Sequence, residues 1–439
     1  MEQRKKAAFI TLGCKVNIAE TEGMKLLFQK AGYDIVEANE HADVYVINTC
    51  TVTGMGDKKS RQMIRRVHSL NPDAIIAVVG CFAQVAPEEI SKIEGVNLVL
   101  GNNMKHRIVE LVENTQKNDI KQYVNERKNL LEYEELPVET YVGHTRAFLK
   151  VQDGCDQFCS YCIIPYARGP VRSRDINDVV KEAKSFASNG FKEIVLTGIH
   201  LTSYHDAKNN VRLSGLIKAV HDIEGIERIR LGSLEPMHLT HEFIEEIKDL
   251  PKLCPHFHIS LQSGCSETLK RMNRKYTPED YREIVKSLRE KIPDVTFTTD
   301  VMTGFPGETD EEFAQSYEFC KEIGFLWIHV FKYSPRKGTA AAKFPDQVPS
   351  DIKEKRSKQL IELAHKMRNN VFEQFIGREI DIILEQEIEG SPGDMEGLTA
   401  NYIPVAVKVE NIEPGEIIRV HLDSIEGERM RGTISNVTV

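Results

Sequence analysis

No apolar run in this chain approaches the roughly 20 residues that a helix needs to cross a bilayer. No internal repeat and no low-complexity tract occurs. Positive charge is not in excess either: 57 Lys and Arg stand against 66 Asp and Glu, a net of −9. That balance speaks against a generically basic nucleic-acid binder. The deficit is local. Residues 373–439 hold 5 basic and 14 acidic side chains, while the rest of the chain is balanced, which marks a separate C-terminal segment. The opening MEQRKKAAFITLGC starts basic, but its apolar stretch is short and the charged Lys15 follows at once, so no secretory signal is expected. The expectation is a cytoplasmic enzyme without a membrane partner. Nine cysteines in a reducing compartment then point to metal or redox chemistry before disulfides.

At 439 residues the chain is too long for one ordinary core, and about 150 residues per domain implies two or three. AAFITLG, DVYVIN and AIIAVVG read as buried strands, separated by helical stretches near 17–31 and 57–69. That order predicts a small parallel-sheet α/β domain over 1–125. The polar stretch 113–139 reads as a linker. Six further strands follow: RAFLKVQ, EIVLTG, RIRLGS, HFHISLQ, TFTTDVMTG and WIHVFKY. Helical stretches such as 179–188, 281–291 and 311–323 separate them. Six strand–helix units are two short of a full barrel, so an open six-stranded (β/α)6 partial barrel is expected over 141–372, ending in a long helix near 351–375. Over 373–439, EIDIILE, PVAVKV and EIIRVHL with SPGD, EPGE and EGE turns read as a small all-β barrel. The fold class is therefore α/β multidomain.

The sharpest motif is Cys155-Asp-Gln-Phe-Cys159-Ser-Tyr-Cys162, directly after the first barrel strand. Zinc would want a fourth ligand, and none is evident beside it. Three cysteines on a 4Fe–4S cluster leave one iron open to a small molecule. The motif resembles the hallmark of the radical S-adenosylmethionine (SAM) enzymes, with Tyr161 as the aromatic before the last cysteine. The resemblance implies that SAM binds the open iron, and that one electron cleaves it to methionine and a 5′-deoxyadenosyl radical. It also implies a partial six-unit barrel, in agreement with the strand count.

A second set is dispersed: Cys14, Cys50 and Cys81 each follow a predicted parallel strand, where ligand crevices form. Taken alone, these are a second cluster site or three buried structural cysteines. Two triads together resemble the methylthiotransferases, which carry an N-terminal three-cysteine domain, a radical-SAM core and a C-terminal RNA-binding TRAM barrel. The segments Thr11-Leu-Gly-Cys-Lys-Val-Asn17 and Cys155 through Gly169 resemble the bacterial branch acting on N6-threonylcarbamoyladenosine in tRNA.

That resemblance implies two 4Fe–4S clusters and SAM as cofactors. Its implied partners are the tRNA anticodon arm, a flavodoxin- or ferredoxin-type reductant and a sulfur donor. The implied reaction is methylthiolation at C2 of the adenine, whose C–H is too inert for proton transfer at neutral pH. Around the first triad it places Thr197 and Gly198 at the methionine end of SAM. Ser233 or Glu235 would lie on the ribose hydroxyls, Gln262 would end the fourth strand, and Tyr161 would abut the adenine. No catalytic residue is assigned beyond the clusters. Arg168, Arg172 and Arg174 are read as contacts to RNA phosphate or SAM carboxylate, or as a solvated loop. Lys58, Arg61 and Arg65 form a basic helix face after Cys50, and Lys270, Arg271, Arg274 and Lys275 a second basic cluster. Cys254, Cys265 and Cys320 are read as free thiols, and His144, His200 and His258 receive no ligand role. The rival readings are methylthiolation of isopentenyladenosine tRNA, methylthiolation of a basic ribosomal protein, which the acidic tail suits, and a non-enzymatic iron–sulfur RNA-binding protein.

Overall fold

The computed structural model describes residues 4–52, 54–141 and 143–435. The first unit is a parallel sheet of six strands: β1 (Lys6–Thr11), β2 (Asp34–Val36), β3 (Val44–Thr49), β4 (Ile75–Gly80), β5 (Val96–Leu100) and β6 (Lys121–Tyr123). Their order is β2-β1-β3-β4-β5-β6. β3 is buried along its whole length, as befits a parallel strand covered on both faces. Ile47, Ile64 and Phe82 belong to the core on one side of the sheet, Val46, Phe28 and Leu98 to the core on the other.

The predicted helices are present as Lys15–Lys30 and Gly54–Leu70. The sheet holds twice the three strands expected. β2 and β6 are three-residue edge strands, too short to show a period. β5 carries Asn97 inside its apolar run, whose side-chain oxygen accepts from the Ile76 N–H at 2.9 Å beside a register shift. The stretch 113–139 is not merely a linker: it supplies β6 and buries Leu130, Leu136 and Val138.

The second unit is the expected open barrel. Its six parallel strands are β7 (Arg146–Asp153), β9 (Glu193–Gly198), β12 (Arg228–Leu231), β13 (His256–His258), β14 (Thr296–Thr303) and β15 (Trp327–Lys332). Two hydrogen-bonded sheets meet between β12 and β13 through the bridges Ile229–Leu253 and Leu234–Ile259. Three short strands were not anticipated: β8 (Arg172–Ser173), antiparallel to β7, and the hairpin of β10 (His205–Asp206) and β11 (Val211–Arg212). The outer helices start where their sequences dictate. Thr277 with Asp280, and Thr309 with Glu312, form reciprocal capping boxes at Pro278–Lys291 and Asp310–Ile323. Phe257, Phe297 and Val301 belong to the main apolar core. By the alternation of a strand, His256, His258, Thr298, Asp300 and His329 take the other face, so the lumen of β13–β15 is polar.

Helix Ser350–Glu373 leads into a closed five-stranded barrel: β16 (Glu379–Glu387), β17 (Asp394–Thr399), β18 (Pro404–Lys408), β19 (Ile417–Glu426) and β20 (Arg429–Ile434). It docks on the N-terminal ends of the large barrel's strands. Arg228 donates to the Leu398 and Asp381 carbonyls, Arg230 donates to the Ala400 carbonyl at 2.9 Å, and Tyr402 stacks on His256 at 4.3 Å. The opposite, C-terminal strand ends are thereby left to the cysteines. Among the described residues no helix is long and apolar enough to cross a membrane.

Candidate active site: two cysteine triads and the groups around them

Cys155, Cys159 and Cys162 lie in the loop leaving β7. The loop opens on Gly154, at φ +75°, where a Cβ would overlap the Pro170 carbonyl. Only glycine lets the chain turn back so closely that the Cys155 N–H donates to the Gly169 carbonyl at 3.0 Å. Ser160 pins the far side, donating from its backbone to Met272 O at 3.0 Å and from its hydroxyl to Arg271 O at 2.8 Å. Burial pushes the Cys155 thiol up to about 11 and the Cys162 thiol up to about 12, with Cys159 adding to both. The three thiols thus already feel one another. One cation stands beside them: Arg274 donates to the Cys159 Sγ at 3.3 Å and pairs with Glu235 at 2.7 Å.

The second triad forms where three neighbouring strands end, Cys14 after β1, Cys50 after β3 and Cys81 after β4. Gly13 (φ +108°) carries the Cys14 turn so close to Cys50 that a Cβ there would lie 2.8 Å from the Cys50 Cβ. Asn17 ties the two loops, donating to Leu12 O at 2.7 Å and Thr49 O at 3.1 Å. Burial raises the Cys14 thiol and pushes Cys50 up to about 11, and Cys81 raises both.

Here too one buried arginine touches a sulfur. Arg168 donates from Nε to the Cys81 Sγ at 3.2 Å. Its other nitrogens reach Glu20 at 2.5 Å, Asn17 at 2.6 Å and Asp153 at 3.2 Å. Lys150 bridges Glu20 and Asp153, both at 2.8 Å, and Lys105 pairs with Glu20 at 3.2 Å. Burial alone would raise the Glu20 carboxyl, but Arg168, Lys105 and Lys150 hold it well below the usual carboxylate range. Arg168 follows Cys162 by six residues, so one loop serves both triads.

Several sequence expectations are corrected by this packing. Arg168, Arg172 and Arg174 are neither solvated nor free for phosphate. Arg172 donates to the Leu130 and Arg168 carbonyls, and Arg174 pairs with Glu182 and Glu135. Their loop is sandwiched between the first sheet and the barrel. Arg274 faces the first triad and Arg271 pairs with Glu312, so only Lys270 and Lys275 of that basic cluster point outward. Cys254, Cys265 and Cys320 are buried free thiols, as expected.

The triads fit iron–sulfur ligation better than a single ion. Zinc at about 2.3 Å from each sulfur needs them roughly 3.8 Å apart. Neither triad brings all three sulfurs within 4.8 Å of one another; among the described residues only His258, Asp300 and His329 form such a group. Each triad also keeps at least two of its cysteines partly exposed, which leaves a side open to a further ligand.

The remaining expected residues are dispersed. Tyr161 sets its ring edge-on to Phe305 at 6.3 Å and lies in the field of Arg274, Cys159 and Cys162. Glu235 joins that group through Arg274. Thr197 is buried. Gly198 packs on the Gln152 side chain, which accepts from the His200 N–H at 2.7 Å. Ser233 is exposed. Gln262 takes φ +65° and joins β14 by its backbone, donating to Asp300 O at 2.8 Å.

Sequence reasoning missed Arg168 and Arg274 as sulfur partners. It also set His258 aside, although His256-Phe-His258 alternation puts two imidazoles on one strand face. His258 Nε2 lies 3.4 Å from Asp300 Oδ2, and Asp300 is in register with His329. Burial, Arg146 and Arg230 push the ammonium of Lys15, the residue after Cys14, down to about 8.

The radical SAM superfamily model matches residues 149–320, and the model of Uncharacterized protein family UPF0004 matches residues 6–101. The chain is 42% identical to a threonylcarbamoyladenosine tRNA methylthiotransferase of Bacillus subtilis (strain 168), over 94% of this chain and 93% of that one. It is 41% identical to a protein of the same name from Aquifex aeolicus (strain VF5), over 94% and 99%. It is 35% identical to a tRNA-2-methylthio-N(6)-dimethylallyladenosine synthase of Clostridium tetani (strain Massachusetts / E88), over 98% of each. Among solved structures, the radical S-adenosylmethionine methyltransferase TsrM from Kitasatospora setae superposes with a TM-score of 0.58 at 16% identity, covering 77% of each chain. That likeness concerns the fold alone. A thiol triad at the mouth of a six-stranded barrel, a second where three parallel strands end, and 42% identity over nearly the full length to a methylthiotransferase leave one assignment: the chain belongs to the radical-SAM methylthiotransferases, enzymes built around a 4Fe–4S cluster and SAM.

Proposed function

We propose that the chain converts N6-threonylcarbamoyladenosine beside the tRNA anticodon to its 2-methylthio form. The observation that carries this reading is the near-full-length likeness to two threonylcarbamoyladenosine tRNA methylthiotransferases. In this reading residues 141–372 hold one 4Fe–4S cluster on Cys155, Cys159 and Cys162, and residues 1–125 hold a second on Cys14, Cys50 and Cys81. The clusters and SAM supply, when bound, the electron, the 5′-deoxyadenosyl radical, the sulfur and the methyl group.

The chain's own residues have narrower tasks. Arg274 and Arg168 set a positive charge against each triad, which favours thiolate over thiol. Tyr161 and Phe305 wall one side of the first triad. Thr197, Gly198, Ser233, Glu235 and Gln262 are assigned to the SAM pocket by their place at strand ends. The C-terminal barrel, residues 373–439, is assigned to tRNA docking. The target base must leave the anticodon-loop stack to reach the cleft. The acidic barrel favours one rival, a basic ribosomal protein as acceptor.

Anaerobically reconstituted protein is expected to hold about eight irons. With SAM and a reductant it is expected to give methylthiolated nucleoside from tRNA carrying threonylcarbamoyladenosine. Four irons, or zinc, would remove the second cluster; product from a ribosomal protein instead of tRNA would favour the rival.

The helix Gly54–Leu70 offers a separate test. Lys58 and Arg65 are exposed, whereas Arg61 lies over Phe82 and pairs with Glu89 at 2.8 Å. Replacing Lys58 and Arg65 by Ala is expected to weaken tRNA binding. It should also flatten the slope of log K against log salt by about 0.7 to 0.9 for each phosphate no longer neutralised. An unchanged slope in a filter-binding series means that this face is only solvated.

A further inference from the structure

Away from the two triads, a third set of ligand-type side chains converges on the lumen face of β13–β15. His258 is in register with Thr298, and Asp300, two residues further on, is in register with His329. The alternation of a strand puts all four on one face. The ligand atoms of His258, Asp300 and His329 lie within 4.8 Å of one another.

Hydrogen bonding within the protein leaves this set unsatisfied. His258 Nε2 is buried and has no hydrogen-bond partner. It stands 3.4 Å from Asp300 Oδ2, beyond the roughly 3.2 Å reach of a good N–H···O bond. Among the described residues Asp300 pairs with no lysine or arginine, although its carboxylate lies inside the barrel and is only 28% exposed. The His258 and His329 rings are tilted by 36° with centroids 5.9 Å apart, so they do not stack. A recessed carboxylate without a cation and a buried imidazole nitrogen without a partner are both costly. One shared cation satisfies both.

The spacing suits a small ion. Two ligand atoms of a tetrahedral ion, each about 2.1 Å from it, stand about 3.4 Å apart. His258 Nε2 and Asp300 Oδ2 already have that separation. His329 is exposed, so rotation of its ring closes the remaining distance. The support behind His258 is of the kind a ligating imidazole has. Thr298 Oγ1 lies 2.9 Å from His258 Nδ1 and 2.9 Å from His256 Nε2. With its one proton given to His256, the hydroxyl accepts from the His258 Nδ1–H. His258 Nε2 then carries the free lone pair, and the ring is held in place. Two imidazoles and one carboxylate select a transition ion over magnesium or calcium. Three protein ligands leave a position open, as in catalytic rather than structural zinc sites.

We propose that His258, Asp300 and His329 bind one divalent transition-metal ion, such as zinc or ferrous iron, inside the barrel. Its open position faces the lumen and takes an oxygen donor. The Asp300 carbonyl accepts from the Gln262 N–H at 2.8 Å, so the site adjoins the C-terminal end of the fourth barrel strand. The site is separate from both cysteine triads and does not depend on the identity of the methylthio acceptor.

The test uses the full-length protein with its clusters already reconstituted. Zinc is added afterwards, free metal is removed by gel filtration, and zinc and iron are counted in the same sample. Wild type is expected to gain one zinc per chain with its iron unchanged. D300N and H329Q are expected to lose at least nine-tenths of that zinc at a concentration that saturates wild type. H200Q, another barrel imidazole, is expected to keep it. T298V is expected to weaken zinc affinity by about tenfold to a hundredfold, because the His258 ring loses its support. Should ferrous iron fill the site during reconstitution, the count shows one extra iron that H329Q removes, which supports the same site. Because His329 is exposed, H329Q keeps the comparison available if a variant at the buried positions fails to fold.

Wild type that gains neither zinc nor an extra iron overturns the site. So does zinc retained in full by both D300N and H329Q, or zinc gained only as iron is lost; both results place the ion on cysteines.

Discussion

Cys159→Ala is expected to abolish reductive SAM cleavage, and Cys50→Ala to spare it while eliminating methylthio product. In the proposed reading Cys159 is one of three protein ligands to the cluster that reduces SAM, and it receives the Arg274 hydrogen bond. Its loss would remove that ligand and one contact of Arg274, which keeps Glu235 and Tyr276 as partners. Cys50 belongs to another sheet, and its neighbours are Gly13, Cys14 and Cys81. Nothing in the loop of Cys155, Cys159 and Cys162 depends on it directly. An anaerobic assay that follows 5′-deoxyadenosine and methylthiolated nucleoside together separates the two variants. Wild-type methylthio product from Cys50→Ala would make the N-terminal triad structural.

Arg168→Met is expected to cost about 3 kcal/mol of stability and to lower iron in the N-terminal triad. The side chain is fully buried, and its removal strips Glu20 and Asp153 of a shared partner. Breaking a buried pair by deleting one member typically costs about 3 to 5 kcal/mol. Lys150 and Lys105 remain beside the carboxylates, which argues for the lower end. The hydrogen bond to Cys81 goes as well. Denaturant unfolding followed by an iron assay reads both effects. A shift below about 0.5 kcal/mol with full iron would mean that the network neither joins the domains nor supports the triad.

Both triads were legible in the sequence for different reasons. Cys155, Cys159 and Cys162 share a short loop, so spacing alone brings them together. Cys14, Cys50 and Cys81 are separated by helices and meet because parallel strands end on one edge, a rule that strand patterns carry. The barrel was legible because its strands alternate with helical stretches whose start and stop signals are local.

Partners set by packing were not legible. Nothing local distinguishes the buried Arg168 from the exposed Arg65; burial of the first comes from two domains closing on its loop. Arg274 was read only as one member of a basic cluster for the same reason. His258, Asp300 and His329 lie on three separate strands, and only strand pairing in the barrel brings their ligand atoms within 4.8 Å of one another. β2 and β6 were missed because three residues carry no periodicity.

The most direct test of the central claim is tandem mass spectrometry of tRNA nucleosides from a strain lacking this gene, with and without the gene restored. The account predicts threonylcarbamoyladenosine without its 2-methylthio group in the deletion strain, and the 2-methylthio form on restoration. The Cys50→Ala gene should fail to restore it. An unchanged 2-methylthio-threonylcarbamoyladenosine level in the deletion strain, or loss of methylthio from isopentenyladenosine instead, would contradict it.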